Sequence, residues 1–304
     1  MSKMAFVYPG QGVQNPGMGA DFYKESKEAE QIYNEAESIL DFDIKKVCFE
    51  ENDLINNTEY TQAALVTTYL AITGEVIKRE IFPDVTAGLS LVEYGAICVA
   101  GGMNEKEAIS LVRKRGIYMN NAVPEGFGGM TAVLGLDKED IDNVLREKDG
   151  VSVANYNCPG QIVITGSVEA IESSVPDLKK LGARCVKLKV RGPFHSPYLK
   201  EAGEKLGRDL EKVTFNKLSI PYVSNVTGEY VDDIKYTKEL LKQQVYSPVK
   251  WEQSVRCMIE NGVDTFVEIG PGRTIGGFIR KIDKTVRHIN ISTVEDLKKL
   301  DDLR

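Results

Sequence analysis

The chain has 304 residues, 42% hydrophobic and 27% charged, with 45 acidic against 38 basic side chains and a net charge of −7. That length predicts one large domain or two ordinary ones, and the composition excludes bulk disorder and fibrous repeats. An acidic chain is a poor nucleic-acid binder as a whole, and its two histidines cannot build a multi-histidine metal site.

Residues 5–8 form a short apolar strand that runs into a Gly/Pro/Gln loop over 9–19. An amphipathic helix follows, with Ile32, Tyr33, Ala36 and Leu40 on one face. Residues 58–79 read as a second helix, 85–88 as a strand, and 91–100 as an apolar helix starting directly after Ser90. Asn104 N-caps a helix to about residue 121, whose buried stripe is Ile109, Val112, Gly116 and Met119. The rhythm then changes. Strands at 129–136, 151–156, 161–165 and 185–190, with helices at 138–148 and 168–181, give the β-α-β-β-α-β order of a ferredoxin-like unit. Beyond it come helices at 197–213, 237–244 and 251–261, and strands at 219–224 and 265–269. The second of these strands ends in Gly270-Pro271-Gly272; a helix to 282, a strand at 289–292 and a charged terminal helix follow.

Strands and helices alternate outside the ferredoxin-like segment. The expected fold is therefore an α/β body with a mainly parallel sheet covered on both faces, interrupted by an inserted small unit. The body takes residues 1–124 and 192–304, and the small unit 125–191. The five cysteines, Cys48, Cys98, Cys158, Cys185 and Cys257, are scattered and form no C-x-x-C pair. That argues against a disulfide framework and a structural zinc, and fits a reducing cytoplasm. The N-terminal stretch is too short for a signal-peptide core, and no apolar run approaches the roughly 20 residues of a membrane span. The expectation is a cytoplasmic protein with no membrane partner.

Ser90 sits where a strand ends and a helix begins. That sharp turn is the nucleophile-elbow arrangement, usually G-x-S-x-G, which exposes the hydroxyl and aims free helix N–H groups at a reacting carbonyl. Here the pentapeptide is Gly88-Leu89-Ser90-Leu91-Val92, so the second glycine is a valine. A serine before a helix is also an ordinary N-cap. Gly10-Gln11-Gly12 lacks the third glycine of a dinucleotide fingerprint and the Lys-Ser/Thr of a phosphate loop. Arg115, beside the apolar stripe, is either a snorkelling surface residue or a buried anion ligand.

The neighbouring blocks are AFVYPGQGVQNPGM at 5–18, GLSLVEY at 88–94, VSVANYNCPGQIVITG at 151–166, RGPFHSPY at 191–198 and VEIGPG at 267–272. In this order they resemble the malonyl-CoA:acyl-carrier-protein transacylases of fatty-acid synthesis, from residue 5 to the final strand. The resemblance implies an α/β-hydrolase-like body with a ferredoxin-like insert. It makes Ser90 the nucleophile and His195 the general base, with His288 the only other histidine. The backbone carbonyl of Gln244 would hold the imidazole, and the backbone N–H groups of Gln11 and Leu91 would form the oxyanion hole. Arg115 would pair with the free malonyl carboxylate, alongside Met119. Phe194 would leave no space for a 2-methyl branch, and Asn155 and Asn157 would line the pantetheine entrance.

The implied substrate is malonyl-CoA, with no permanently bound cofactor, and the implied acceptor is an acidic acyl carrier protein. A chain of charge −7 then needs a local basic docking face. Two segments qualify: Lys187, Lys189 and Arg191, alternating on one strand face, and the stretch 273–287 with Arg280 and Lys281. The elbow departs from the common G-H-S-L-G at Leu89 and Val92, and a β-branched Val92 threatens to crowd the strand and displace Ser90. Three other readings stay open: a non-catalytic carrier- or CoA-binding homologue, a serine hydrolase with the same elbow, and a discrete polyketide acyltransferase.

Overall fold

The computed structural model describes residues 2–303. Its larger sheet holds β1 (Lys3–Tyr8), β2 (Val85–Gly88), β7 (Tyr222–Val223), β8 (Tyr230–Val231), β9 (Val263–Ile269) and β10 (Arg287–Ile291). The order is β10-β9-β1-β2-β7-β8, parallel throughout except for the terminal β7–β8 pair. Side chains alternate across β1. Phe6 and Tyr8 enter the core under helices Thr58–Lys78 and Glu93–Val99, while Ala5 and Val7 enter a second core with Trp251, Val255, Ile275 and Phe278. Both faces are thus covered, as a parallel sheet requires.

The smaller sheet holds β3 (Gly128–Leu134), β4 (Val151–Cys158), β5 (Gln161–Ser167) and β6 (Arg184–Lys187), antiparallel in the order β4-β5-β3-β6. Helices Lys138–Arg146 and Val168–Lys180 close a third core with Ile141, Ile164, Ile171 and Leu178. This is the ferredoxin-like arrangement. Its β4 is hydrogen-bonded to the body, Val249 N–H donating to Ala154 O at 2.8 Å and Tyr156 N–H to Val249 O at 2.9 Å. These bonds hold Asn155 and Asn157 over the cleft between the two sheets.

Two close approaches position the site. At Gly88 a Cβ would lie 2.1 Å from the carbonyl oxygen of Val92, so only glycine lets the turn after β2 fold back on its strand. At Gly116 a Cβ would lie 2.9 Å from Glu59 Cα and Thr58 O, so helix Glu105–Asn120 crosses helix Thr58–Lys78 almost backbone to backbone. Asn104 caps the former helix in a full capping box with Glu107.

Several expectations shift. The turn after Ser90 is 3-10 over Ser90–Val92 before the α-helix starts at Glu93. The strand expected at 219–224 shrinks to Tyr222–Val223, and the helix from 197 opens as a 3-10 turn, Pro197–Leu199. The terminal helix is also 3-10, Val294–Leu303. Strand β6 stops at Lys187, because its ladder with β3 pairs only Arg184 to Lys187. Lys189 and Arg191 therefore do not share a strand face with Lys187. Among the described residues no helix is long and apolar enough to cross a membrane.

Candidate active site

The turn after β2 forces Ser90 to φ 61°, in the left-handed region. Asn225 fixes that turn from both sides, accepting from Ser90 N–H at 2.6 Å and donating to Gly88 O at 2.8 Å. The Gly192-Pro193 bend leads to His195, whose φ of 59° is left-handed too. Ser90 Oγ and His195 Nε2 are 2.7 Å apart, and His195 Nδ1 lies 2.9 Å from Gln244 O. A carbonyl only accepts, so Nδ1 carries the proton and Nε2 is free to accept from the serine hydroxyl. Burial, and then the charge of Arg115, hold the imidazole far below its ordinary range, at about 3. The ring is neutral at any physiological pH, which is the state a base must be in to take a proton.

Arg115 is 1% exposed. Its Nη1 donates to Gln62 Oε1 at 2.7 Å, and its Nη2 to Ser90 Oγ at 3.1 Å and Gln244 Oε1 at 3.0 Å. Among the described residues its Nε has no hydrogen-bond partner, so the guanidinium keeps donor capacity. Burial lowers its pKa, yet among the described residues no carboxylate hydrogen-bonds to it. Its partners are thus two neutral amides and a serine hydroxyl, and a buried guanidinium so placed can bind a carboxylate. Arg113, two residues away, faces Asp41 instead, with Nε 2.8 Å from Oδ1.

A cavity of about 250 Å³ opens onto these groups. Gln11, Leu91, Met119, Phe194, Asn155 and Asn157 all line it, so every residue implied for the substrate meets there. Gln11 donates its side-chain amide to Thr58 Oγ1 at 3.1 Å. The two basic segments flank the same cavity. Leu188 and Val190 line it between Lys187, Lys189 and Arg191, and Thr274 and Phe278 line it from the helix that carries Arg280 and Lys281. Arg191 is paired with Glu125 at 2.9 Å, and all five basic side chains are exposed.

Val92 does not crowd the nucleophile. Its backbone covers Gly88 while its side chain, fully buried, joins the apolar core beneath the sheet's helices. Leu89 lines the cavity. His288 is remote from Ser90 and bonds Glu268 at 2.8 Å.

Four features escape the sequence reading: Gln62 on Arg115, Asn225 on the turn, the Gln244 side chain, and the fully buried Glu93. Gln244 Nε2 donates to Ser90 O at 2.9 Å and to Glu93 Oε2 at 2.5 Å, and Asn225 N–H donates to the same oxygen at 3.1 Å. The one sequence signal for Glu93 is an acid three residues after Ser90, which reads as a capping box.

Residues 5–297 match the model of the acyl transferase domain family. The chain is 40% identical to the malonyl CoA-acyl carrier protein transacylase of Bacillus subtilis (strain 168), covering 98% of this chain and 96% of that protein. It is 38% identical to that of Staphylococcus aureus (strain MRSA252), with 98% of each covered. The crystal structure of the Clostridium perfringens transacylase superposes with a TM-score of 0.96 at 41% identity, covering 100% of this chain and 98% of that one. A malonyl-transacylase solved in complex with a type II polyketide acyl-carrier protein also gives 0.96, at 35% identity over the whole of both chains. A nucleophile elbow with its buried arginine, on this fold and with these relatives, has one classification: the chain belongs to the malonyl CoA-acyl carrier protein transacylases of the acyl transferase family.

Proposed function

We propose that this enzyme moves a malonyl group from malonyl-CoA to the phosphopantetheine thiol of acyl carrier protein, in fatty-acid synthesis, through a malonyl ester on Ser90. The observation that carries the reading is the fully buried Arg115, 3.1 Å from a serine hydroxyl that is itself 2.7 Å from a neutral imidazole.

The steps follow from the geometry. His195 Nε2 takes the Ser90 proton as Oγ attacks the thioester carbonyl. The tetrahedral oxyanion accepts the backbone N–H groups of Gln11 and Leu91. The Gln244 carbonyl stabilises the imidazolium through Nδ1–H. That imidazolium then protonates the departing CoA thiolate, leaving malonyl-Ser90. The carrier thiol next gives its proton to His195 and attacks the ester, and Ser90 leaves with that proton. Arg115 holds the malonyl carboxylate throughout, worth about 1.5–3 kcal/mol as a charge-assisted bond. A neutral acyl chain leaves the guanidinium without an anion, which favours dicarboxylic over simple chains. Phe194 and Met119 wall the acyl end, and Asn155 and Asn157 face the pantetheine arm. Lys187, Lys189, Arg191, Arg280 and Lys281 provide the basic rim for an acidic carrier.

Intact-mass spectrometry tests the reading. Malonyl-CoA should add one malonyl mass to the wild type and none to Ser90→Ala. In Arg115→Ala the preference for malonyl over acetyl loading should drop by about 10- to 100-fold. An unlabelled wild type under saturating malonyl-CoA would overturn it.

A further inference from the structure

We propose that Glu93 is a positioning residue that reads the charge at Arg115, and that it takes up a proton when a carboxylate-bearing acyl group occupies that arginine. The inference rests on the malonyl reading of Arg115 and extends it.

Glu93 and Arg115 sit on opposite sides of one amide. Gln244 Nε2 donates to Glu93 Oε2 at 2.5 Å, and Gln244 Oε1 accepts from Arg115 Nη2 at 3.0 Å. The backbone carbonyl of the same Gln244 holds His195, and Asn225 ties Glu93 to the Ser90 turn. Glu93 therefore fixes the residue that joins base, nucleophile and arginine. Glu93 and Arg115 are both fully buried. The groups facing Glu93 are Arg115 from helix Glu105–Asn120, Tyr94 from its own helix, Tyr222 from β7, and the Ser224 hydroxyl. Both tyrosines are held neutral by burial, and so is His195.

Charge counting then decides. Without acyl group, one buried cation faces one buried acid. A malonyl carboxylate adds a second anion, and two anions against one cation in a dry site are unfavourable. Protonating Glu93 from solvent restores neutrality, and the proton returns when the malonyl group leaves. Burial has already raised Glu93 to about 7, so the added proton costs little near neutral pH.

The test measures malonyl and acetyl loading from pH 6 to 8.5 in the wild type, Glu93→Gln and Glu93→Ala. The wild-type KM for malonyl-CoA should rise about three- to tenfold relative to acetyl-CoA as pH increases, with little change in kcat. Glu93→Gln, neutral at every pH, should abolish that rise. Glu93→Ala should lower kcat for both acyl groups, because Gln244 loses one of its two acceptors, and Gln should rescue it. Should Glu93→Gln fail to fold, calorimetry of Ser90→Ala in two buffers of different ionisation enthalpy should still show more proton uptake for malonyl-CoA than for acetyl-CoA. A pH-independent wild-type KM, a slope retained in Glu93→Gln, or equal proton uptake would overturn the proposal. Failure of the malonyl reading looks different: malonyl-CoA would not label Ser90 at any pH.

Discussion

Ser90 and His195 meet at 2.7 Å with both backbones in the left-handed region, at φ 61° and 59°. A non-glycine residue costs about 1–2 kcal/mol there. The strain faces the cavity from both sides, held by Asn225 behind the serine and by Gln244 behind the histidine. It follows that Ser90→Gly should be at least as stable as Ser90→Ala in urea unfolding, although glycine ordinarily costs about 0.5–1 kcal/mol against alanine. A glycine variant clearly less stable than the alanine variant would mean that the turn is unstrained.

Gly88, not the missing second glycine, is the residue the turn depends on. An added methyl at Gly88 meets the Val92 carbonyl oxygen at 2.1 Å, a backbone atom that cannot swing aside. Gly88→Ala should cost about 1–3 kcal/mol and remove malonyl labelling of Ser90. Val92→Gly should cost about 2–4 kcal/mol through a core cavity and bring no faster labelling. Faster labelling in Val92→Gly would revive the idea of a crowded nucleophile.

The contrast shows what the chain discloses about itself. Strand, serine and helix are local, so their order places the elbow, and helical spacing separates Arg115 from Arg113. The ferredoxin-like unit is legible because each of its elements has its own periodicity. The direction of the Val92 side chain is not legible, because it depends on which atoms of the turn meet Gly88. Gln62, Asn225 and Gln244 reach the site from distant segments, and nothing local marks their amides. Glu93 is misleading: it has the spacing of a capping box, but Ser90 N–H bonds Asn225 instead. Strand β6 ends early because its pairing with β3, not its own alternation, sets its length.

Two buried groups in the site titrate against each other. His195 is lowered to about 3, so between pH 3 and 6.5 the unfolded chain binds its proton and the native one does not; this favours unfolding as pH falls. Glu93 is raised to about 7, so between about pH 4.5 and 7 the native state holds the extra proton; this favours unfolding as pH rises. Their slopes oppose each other between pH 4.5 and 6.5. Glu93→Gln removes one of them, so its stability should fall more steeply than the wild type's on acidification through that window, by up to about 1.4 kcal/mol per pH unit. Parallel wild-type and variant curves in urea unfolding would rule out this pairing of shifts.

The rim of the cavity separates two kinds of basic residue. Arg191 already has Glu125 at 2.9 Å, whereas Arg280 projects from helix Thr274–Ile282, whose Thr274 and Phe278 line the cavity, with Lys281 beside it reaching Gln161 Oε1 at 3.5 Å. An acidic carrier gains most from charges without an internal partner. Charge reversal of Arg280 and Lys281 should therefore raise the KM for carrier protein by roughly three- to tenfold at low salt, an effect that shrinks as ionic strength rises. Arg191→Gln should change that KM less than Arg280→Gln does. Loading of Ser90 from malonyl-CoA is the internal control, because it needs no carrier. A KM for malonyl-CoA that rises in step with that for carrier protein would assign these side chains to the phosphates of CoA and not to the protein partner.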